Sequence, residues 1–292
     1  MNKNGLFLGL VTLDLAYLVT EYPAQNQKVV ASDYTATAGG PATNAAVTFS
    51  YLGDRSMLLG VFGSHPVTAL IKADLEECGV SITDLEPTRL ESPPVSSIII
   101  TQSTGDRAVI SINATKSQVS QGIAPDILQK VDILLIDGHQ MAISHEIAQL
   151  AKSEGIPIVA DAGSWKSGFE KILPLVDYAI CSDNFYPPNC HNSEEVFIYL
   201  SAIGIPHIAI TYGEKPIQYL SGGISGIIKV PQINAIDTLG AGDIFHGAFC
   251  HYILQANFTD ALAAAAKIAS HSCQSFGTRR WKEHRPRPEI RL

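Results

Sequence analysis

The chain has 292 residues, 46% hydrophobic and 16% charged, with a net charge of −8. That apolar content supports one large core, or a large unit carrying a small one. The acidic balance argues against a nucleic-acid partner, and no run reaches the ~18 apolar residues of a membrane span. Five widely spaced cysteines with no C-x-x-C pair argue against a disulfide framework and fit reduced thiols in a cytoplasmic protein. The basic cluster Arg279, Arg280, Lys282, Arg285, Arg287 and Arg291 is broken by prolines and reads as a solvated tail.

The apolar start imitates a signal peptide, but Asp14 interrupts it and no small-residue cleavage site follows. It reads instead as a strand over 6–13, buried on both faces. Short β segments at 17–19 and 28–31 are expected to leave the main sheet. Gly39-Gly40-Pro41 then opens a helix over 41–52. The glycines allow close backbone approach to a ligand, Pro41 suits a first helical position, and Asn44 offers a paired donor and acceptor. A strand at 56–62 and a helix at 67–78 follow. Segments at 80–85, 95–101 and 108–113 are β-rich with no helices between them, and are assigned to the sheet and the edge of a lid.

From Val131 strands at 132–136, 157–160, 177–181 and 206–211 alternate with helices at 143–154, 168–173 and 193–203. This predicts an α/β fold with a doubly wound, mostly parallel sheet and helices on both faces. Ligands in such sheets sit beyond the carboxyl ends of the strands, where Asp137, Asp161, Ser182, Thr211 and Gly213 fall. Asp161 serves equally well as a helix cap. A hairpin at 217–220 and 226–230 leads to helices at 241–255 and 259–275; the second is alanine-rich and suited to close packing.

Between them lies Asp237-Thr238-Leu239-Gly240-Ala241-Gly242-Asp243. A glycine turn opening into a helix leaves N–H groups without partners and, with the helix dipole, makes an anion site. Asp243 in the first turn then faces the anion; as a plain cap it would only compensate the dipole. The chain has neither a Walker-type phosphate loop nor a G-x-G-x-x-G fingerprint.

The 237–243 pattern resembles the C-terminal signature of the ribokinase/PfkB family of carbohydrate kinases, and Gly39-Gly40-x-x-x-Asn44-x-Ala46 resembles its N-terminal motif. The resemblance implies a single ribokinase-like kinase domain over 1–292, with a small β lid at about 15–35 and 95–113. It implies ATP and Mg²⁺, and leaves open a monovalent cation and a homodimer through the lid. Asp14, Gly39, Gly40, Asn44 and the lid residue Asn113 would bind the sugar. Asp243 would be the base, with the amides of Gly240, Ala241 and Gly242 as the anion hole. Thr211, Gly213, Asp237, Thr238, Gly240, Gly242 and Cys273 would bind ATP.

One departure stands out. Relatives carry Asn-x-x-Glu after the strand at 177–181, tied to Mg²⁺. This chain has Cys181-Ser182-Asp183-Asn184-Phe185, similar to ketohexokinase-type members, so no metal ligand is assigned. The expected activity is phosphorylation of a ketohexose such as fructose or a derivative. The alternatives are a nucleoside or hydroxymethyl-pyrimidine kinase and a non-catalytic sugar or nucleotide sensor. The lid offers only Tyr17, Tyr22 and Tyr34 for stacking, which favours a small polar acceptor.

Overall fold

The computed structural model describes residues 2–112, 119, 124 and 126–283. The chain begins in a main sheet with β1 (Asn4–Leu8), then leaves it as the hairpin β2 (Thr12–Val19) and β3 (Asp33–Gly39). It returns through α1 (Pro41–Tyr51), β4 (Arg55–Gly60), α2 (Val67–Glu77) and β5 (Val80–Asp84). It leaves again as β6 (Val95–Thr101) and β7 (Arg107–Ile110). Regular alternation follows: β8 (Ile133–Ile136), α3 (Met141–Glu154), β9 (Ile158–Ala162), α4 (Phe169–Ile172), β10 (Tyr178–Ser182), α5 (Ser193–Ala202) and β11 (His207–Tyr212). The hairpin β12 (Lys215–Ser221) and β13 (Ile224–Ile228) precedes α6 (Ala241–Ile253) and α7 (Phe258–Ser272).

The main sheet has nine strands in the order β13-β12-β11-β10-β9-β8-β1-β4-β5. It is parallel from β11 to β5, with the antiparallel β12–β13 hairpin at one edge. The central strands are apolar along their whole length because helices cover both faces; all four residues of β8 are fully buried. One face packs against α1, α6 and α7, the other against α3, α4 and α5. Helices α1 and α6 run so close that a Cβ at Gly247 would lie 2.2 Å from the Ala45 carbonyl oxygen. That contact fixes the ends of both helices, and with them Asn44 and Asp243.

The second sheet has the order β3-β2-β6-β7. Its inner residues Ala16, Leu18, Ile98 and Ile100 pack on Phe276, with Leu239 against them. It therefore sits over the loop that opens α6.

Several expectations are corrected. The apolar run 6–13 is not one strand: it breaks at 9–11, where the Gly9 and Leu10 amides donate to Leu59 O and the Asp137 carboxylate. Both halves are buried, so no change in hydrophobicity marks the crossing. Asp14 thus belongs to the second sheet rather than to the end of the first strand. The partner of β2 is 33–39, not 28–31, and the second sheet takes in 12–19 and 33–39 rather than 15–35. The 80–85 segment is a parallel edge strand of the main sheet. Arg279 and Arg280 are not a solvated tail but pair with Asp74 and Asp33. Asn113, Arg285, Arg287 and Arg291 lie outside the described residues.

Candidate active site

Four elements meet at the carboxyl end of the main sheet. Asp14 on β2 is 9% exposed and accepts a hydrogen bond from Thr12 Oγ1 at 2.8 Å. Burial raises its pKa, against the Thr12 and Ser96 hydroxyls and the Arg279 charge. Gly39 lies against it: a Cβ there would fall 2.0 Å from Asp14 Oδ2. Gly40 follows at φ 106°, where a Cβ would fall 2.2 Å from Leu10 O. Only glycine meets both demands. Asp137 holds this loop, its Oδ2 accepting from the Leu10 and Ala42 amides at 2.8 and 3.2 Å. Burial works to raise Asp137, but the His139 imidazole, the Leu10 amide and Lys166 outweigh it and hold the carboxyl below its ordinary range.

Helix α6 opens at Gly240, at φ 69°, with Asp243 in its first turn. Asn44 on α1 donates from Nδ2 to Asp243 Oδ2 at 2.8 Å. Arg279 Nη1 donates to Asn44 Oδ1 at 2.9 Å, so the amide is oriented from both sides. Arg279 is itself held by the Ala38 carbonyl at 2.7 Å and by Asp74 at 3.0 Å. Asp243 is raised to about 7, first by burial and then by Asp161; Asn44 and His246 oppose this, and Asp14 adds to it. Asp161 on β9 is also raised by burial. Its Oδ2 lies 3.3 Å from His246 Nδ1 yet has no hydrogen bond, because that ring nitrogen pairs with Gly242 O at 2.7 Å.

Beside this cluster a pocket of about 210 Å³ runs under the β12–β13 hairpin. Thr211, Gly213, Thr238, Ala241, Gly242 and Cys273 line it, with Ile217, Phe245 and Ala266 as apolar walls. Asp237 is outside the lining: its carboxylate faces inward and accepts from the Leu239 and Gly277 amides, both at 2.8 Å. Gly240 is also outside it, beside Asn44 and Thr278. The Ser182 hydroxyl donates to Gly163 O at 2.7 Å and accepts from the Asn184 amide, so it ties two loops together.

The sequence profile of the pfkB family of carbohydrate kinases matches residues 3–285. The chain belongs to this family. It is a carbohydrate kinase, an ATP-dependent phosphotransferase with an alcohol acceptor, and its fold is ribokinase-like. It is 25% identical over 288 residues to the ribokinase of Bacillus subtilis, covering 94% of each chain. It is 23% identical over 289 residues to the deoxyribokinase of Salmonella typhi, covering 93% of this chain and 92% of that one. The structure of Arabidopsis thaliana ribokinase complexed with ribose and ATP superposes with a TM-score of 0.73 at 20% identity, covering 95% and 94% of the two chains. These relatives are not ketohexokinases.

The structure brings the two glycine-containing motifs close together. Gly39 lies against Asp14, Asn44 bonds Asp243, and the Asp14 charge is felt at Asp243. Two contacts had no signal in the sequence. Arg279 reaches Asn44 across 235 positions. Arg107, on the second sheet, donates to Thr238 Oγ1 at 2.6 Å in the loop before α6. Only a guess that an arginine opening an edge strand reaches across to the 237–243 loop would have found the second.

Proposed function

We propose that this kinase moves the γ-phosphoryl group of ATP to a hydroxyl of a small sugar, with Asp243 as the base. The observation that carries this is the Asn44–Asp243 hydrogen bond at the mouth of α6. It supports a carboxylate that serves both the side of Asp14 and Gly39 and the pocket edge at Gly242. Asp14, Gly39, Gly40 and Asn44 hold the sugar. Asp243 takes the hydroxyl proton as the oxygen attacks. The amides of Gly240, Ala241, Gly242 and Asp243 stabilise charge on the phosphoryl group in flight. Thr211, Gly213, Thr238, Gly242 and Cys273 hold the nucleotide, and Asp237 braces the loop from behind.

Ribose is the first acceptor to test, because the curated relatives cited above are named for ribose and deoxyribose. Fructose is the second, on the Cys181-Ser182-Asp183 departure. Mg²⁺ fits as an ion carried in by the nucleotide. Among the described residues no cluster of three His, Cys, Asp or Glu could cage it, and Mg²⁺ keeps waters and phosphate oxygens and needs one or two carboxylates at most. Asp161, with a buried oxygen lacking a hydrogen bond, would accept from its water shell. Such an ion neutralises phosphate charge.

The second sheet is a lid that excludes water, the chain from 1 to 292 forms one kinase unit, and the lid's outer face meets a second copy. A cytoplasmic setting suits the five free cysteines. The test is a coupled assay of ADP release over ribose, deoxyribose, fructose and nucleosides, with and without K⁺. Sugar-dependent turnover that Asp243→Asn lowers by about 10²–10⁴ is expected. Sugar binding without turnover would instead identify a sensor.

A further inference from the structure

Arg279 follows α7 in a segment wedged into the fold. Trp281 is fully buried, its indole donates to Thr278 O at 3.0 Å, and its ring lies 4.8 Å from that of Tyr51 on α1. The Tyr51 hydroxyl donates to Lys282 O at 3.1 Å. These contacts seat the segment along α1, and the Arg279 side chain is only 12% exposed.

All three guanidinium nitrogens are engaged. Nε and Nη2 donate to Asp74 Oδ2 on α2 at 3.3 and 3.0 Å, Nη2 also to Ala38 O at 2.7 Å, and Nη1 to Asn44 Oδ1 at 2.9 Å. Asp74 Oδ2 accepts the Ala38 amide as well, at 3.0 Å. Both backbone groups of Ala38 are therefore held just before Gly39 and Gly40. Asn44 is caught between opposites. The ionised Asp243 carboxylate only accepts and the guanidinium only donates, so one amide orientation satisfies both. The flipped amide would suit a protonated Asp243, but it would set an NH2 group against the guanidinium. Arg279 therefore keeps Asn44 a donor toward Asp243.

We infer that Arg279 is a positioning residue for phosphoryl transfer: its planar fork locks the Asn44 amide and the Ala38 backbone, and so fixes Asn44 as a donor to the Asp243 carboxylate. The inference rests on the kinase reading above and deepens it, because Asn44 and Gly39 are among the sugar-holding groups of that reading. One Nδ2 hydrogen of Asn44 remains for the acceptor, so the locked amide meets a sugar hydroxyl as a donor. The Arg279 charge also favours the ionised form of Asp14. Lysine is no substitute, since an ammonium is a point charge without the fork.

The test is a pH series of kcat/KM with whichever of ribose, deoxyribose and fructose the wild type turns over fastest. Arg279→Met and Arg279→Lys are compared with wild type, with Asn44→Leu, and with the double variant Asn44→Leu/Arg279→Met. Each Arg279 variant should raise the sugar KM by about tenfold. Each should also move the acidic limb up by about half a pH unit or more, the worth of one hydrogen bond. Asp161 on β9, Asp14 on β2 and His246 on α6 also act on Asp243, and they are the same in every variant. A lost charge acting directly on Asp243 would add to the effect of Asn44→Leu. A loss acting through Asn44 leaves the limb of the double variant where Asn44→Leu alone puts it.

An unmoved limb in Arg279→Met, wild-type behaviour of Arg279→Lys, or an additive double variant would each refute the lock and leave the kinase reading standing. Arg279→Lys keeps a cation beside Asp74 and so guards against a variant that merely misfolds. The second readout needs no turnover. The side-chain amide resonances of Asn44, assigned by their loss in Asn44→Leu, should lie apart from the free-amide position in wild type and move toward it in both Arg279 variants. Resonances that stay in place would refute the lock. Resonances that move, in a protein that turns over none of the three sugars, would keep the lock and sink the kinase reading.

Discussion

Asp243 answers to two opposed demands. A base must be ionised to accept a proton, yet burial and the neighbouring Asp161 push this carboxyl up to about 7. The Asn44 amide, with His246, favours its charged form, and Arg279 holds that amide in place. The kcat/KM of the free enzyme should therefore fall below about pH 7, roughly tenfold per pH unit. Asn44→Leu removes the donor, so the acidic limb should move to higher pH; an unmoved limb in a pH–rate series would show that Asn44 does not tune the base. Asp243→Asn should cost about 10²–10⁴ in kcat, the usual worth of a general base.

The same residue predicts a stability effect. The folded state holds this proton more tightly than an ordinary aspartate at 3.8. The wild type thus loses stability as pH climbs from about 4 to about 7. Asparagine does not titrate. The melting temperature of Asp243→Asn relative to wild type should rise through that window and level off above it; a constant difference would contradict the raised pKa. Asp243 and Asn44 were legible because their motifs are local. Arg279 was not. Its segment has no periodicity, and its role exists only once the fold brings it to Asn44.

At the level of elements, the second sheet acts on the site through two contacts. Its inner apolar residues rest on Phe276 and Leu239, and Arg107 reaches across to Thr238. The apolar contact seats the sheet and the arginine aligns it with the loop opening α6. Arg107→Met should keep the seat and lose the alignment. About a tenfold fall in kcat/KM for ATP is expected, with little change in melting temperature, as for one charge-assisted hydrogen bond. An unchanged nucleotide kcat/KM would make the contact ornamental. The regular α/β half was legible because short continuous apolar runs alternate with helical stretches across turn residues, and the predicted 193–203 helix matches α5 within a residue. The crossing from β1 to β2 was not, since a strand can change sheets without changing composition.

For the whole molecule, the outer face of the second sheet stands out by its exposed apolar side chains. The register sets Tyr17 opposite Tyr34 and Ile99, and Ser97 opposite Ile110. Tyr34 is 68% exposed and Ile110 71%. Edge strands β3 and β7 flank this face, and all four residues of β7 are exposed. Exposed sheet edges with apolar side chains invite pairing, and a self-complementary face closes as a two-fold dimer. Each copy carries a charge of −8, so a dimer through this face would have to be held by apolar contact against long-range repulsion. Two consequences follow. Sedimentation at micromolar concentration should show a dimer that tightens as salt screens the repulsion. Ile110→Asp should release monomers and raise the sugar KM, because β7 carries Arg107 toward Thr238 and loses its outer support. A wild type that stays monomeric at high salt would leave the apolar face without a partner copy and remove the lid-mediated dimer.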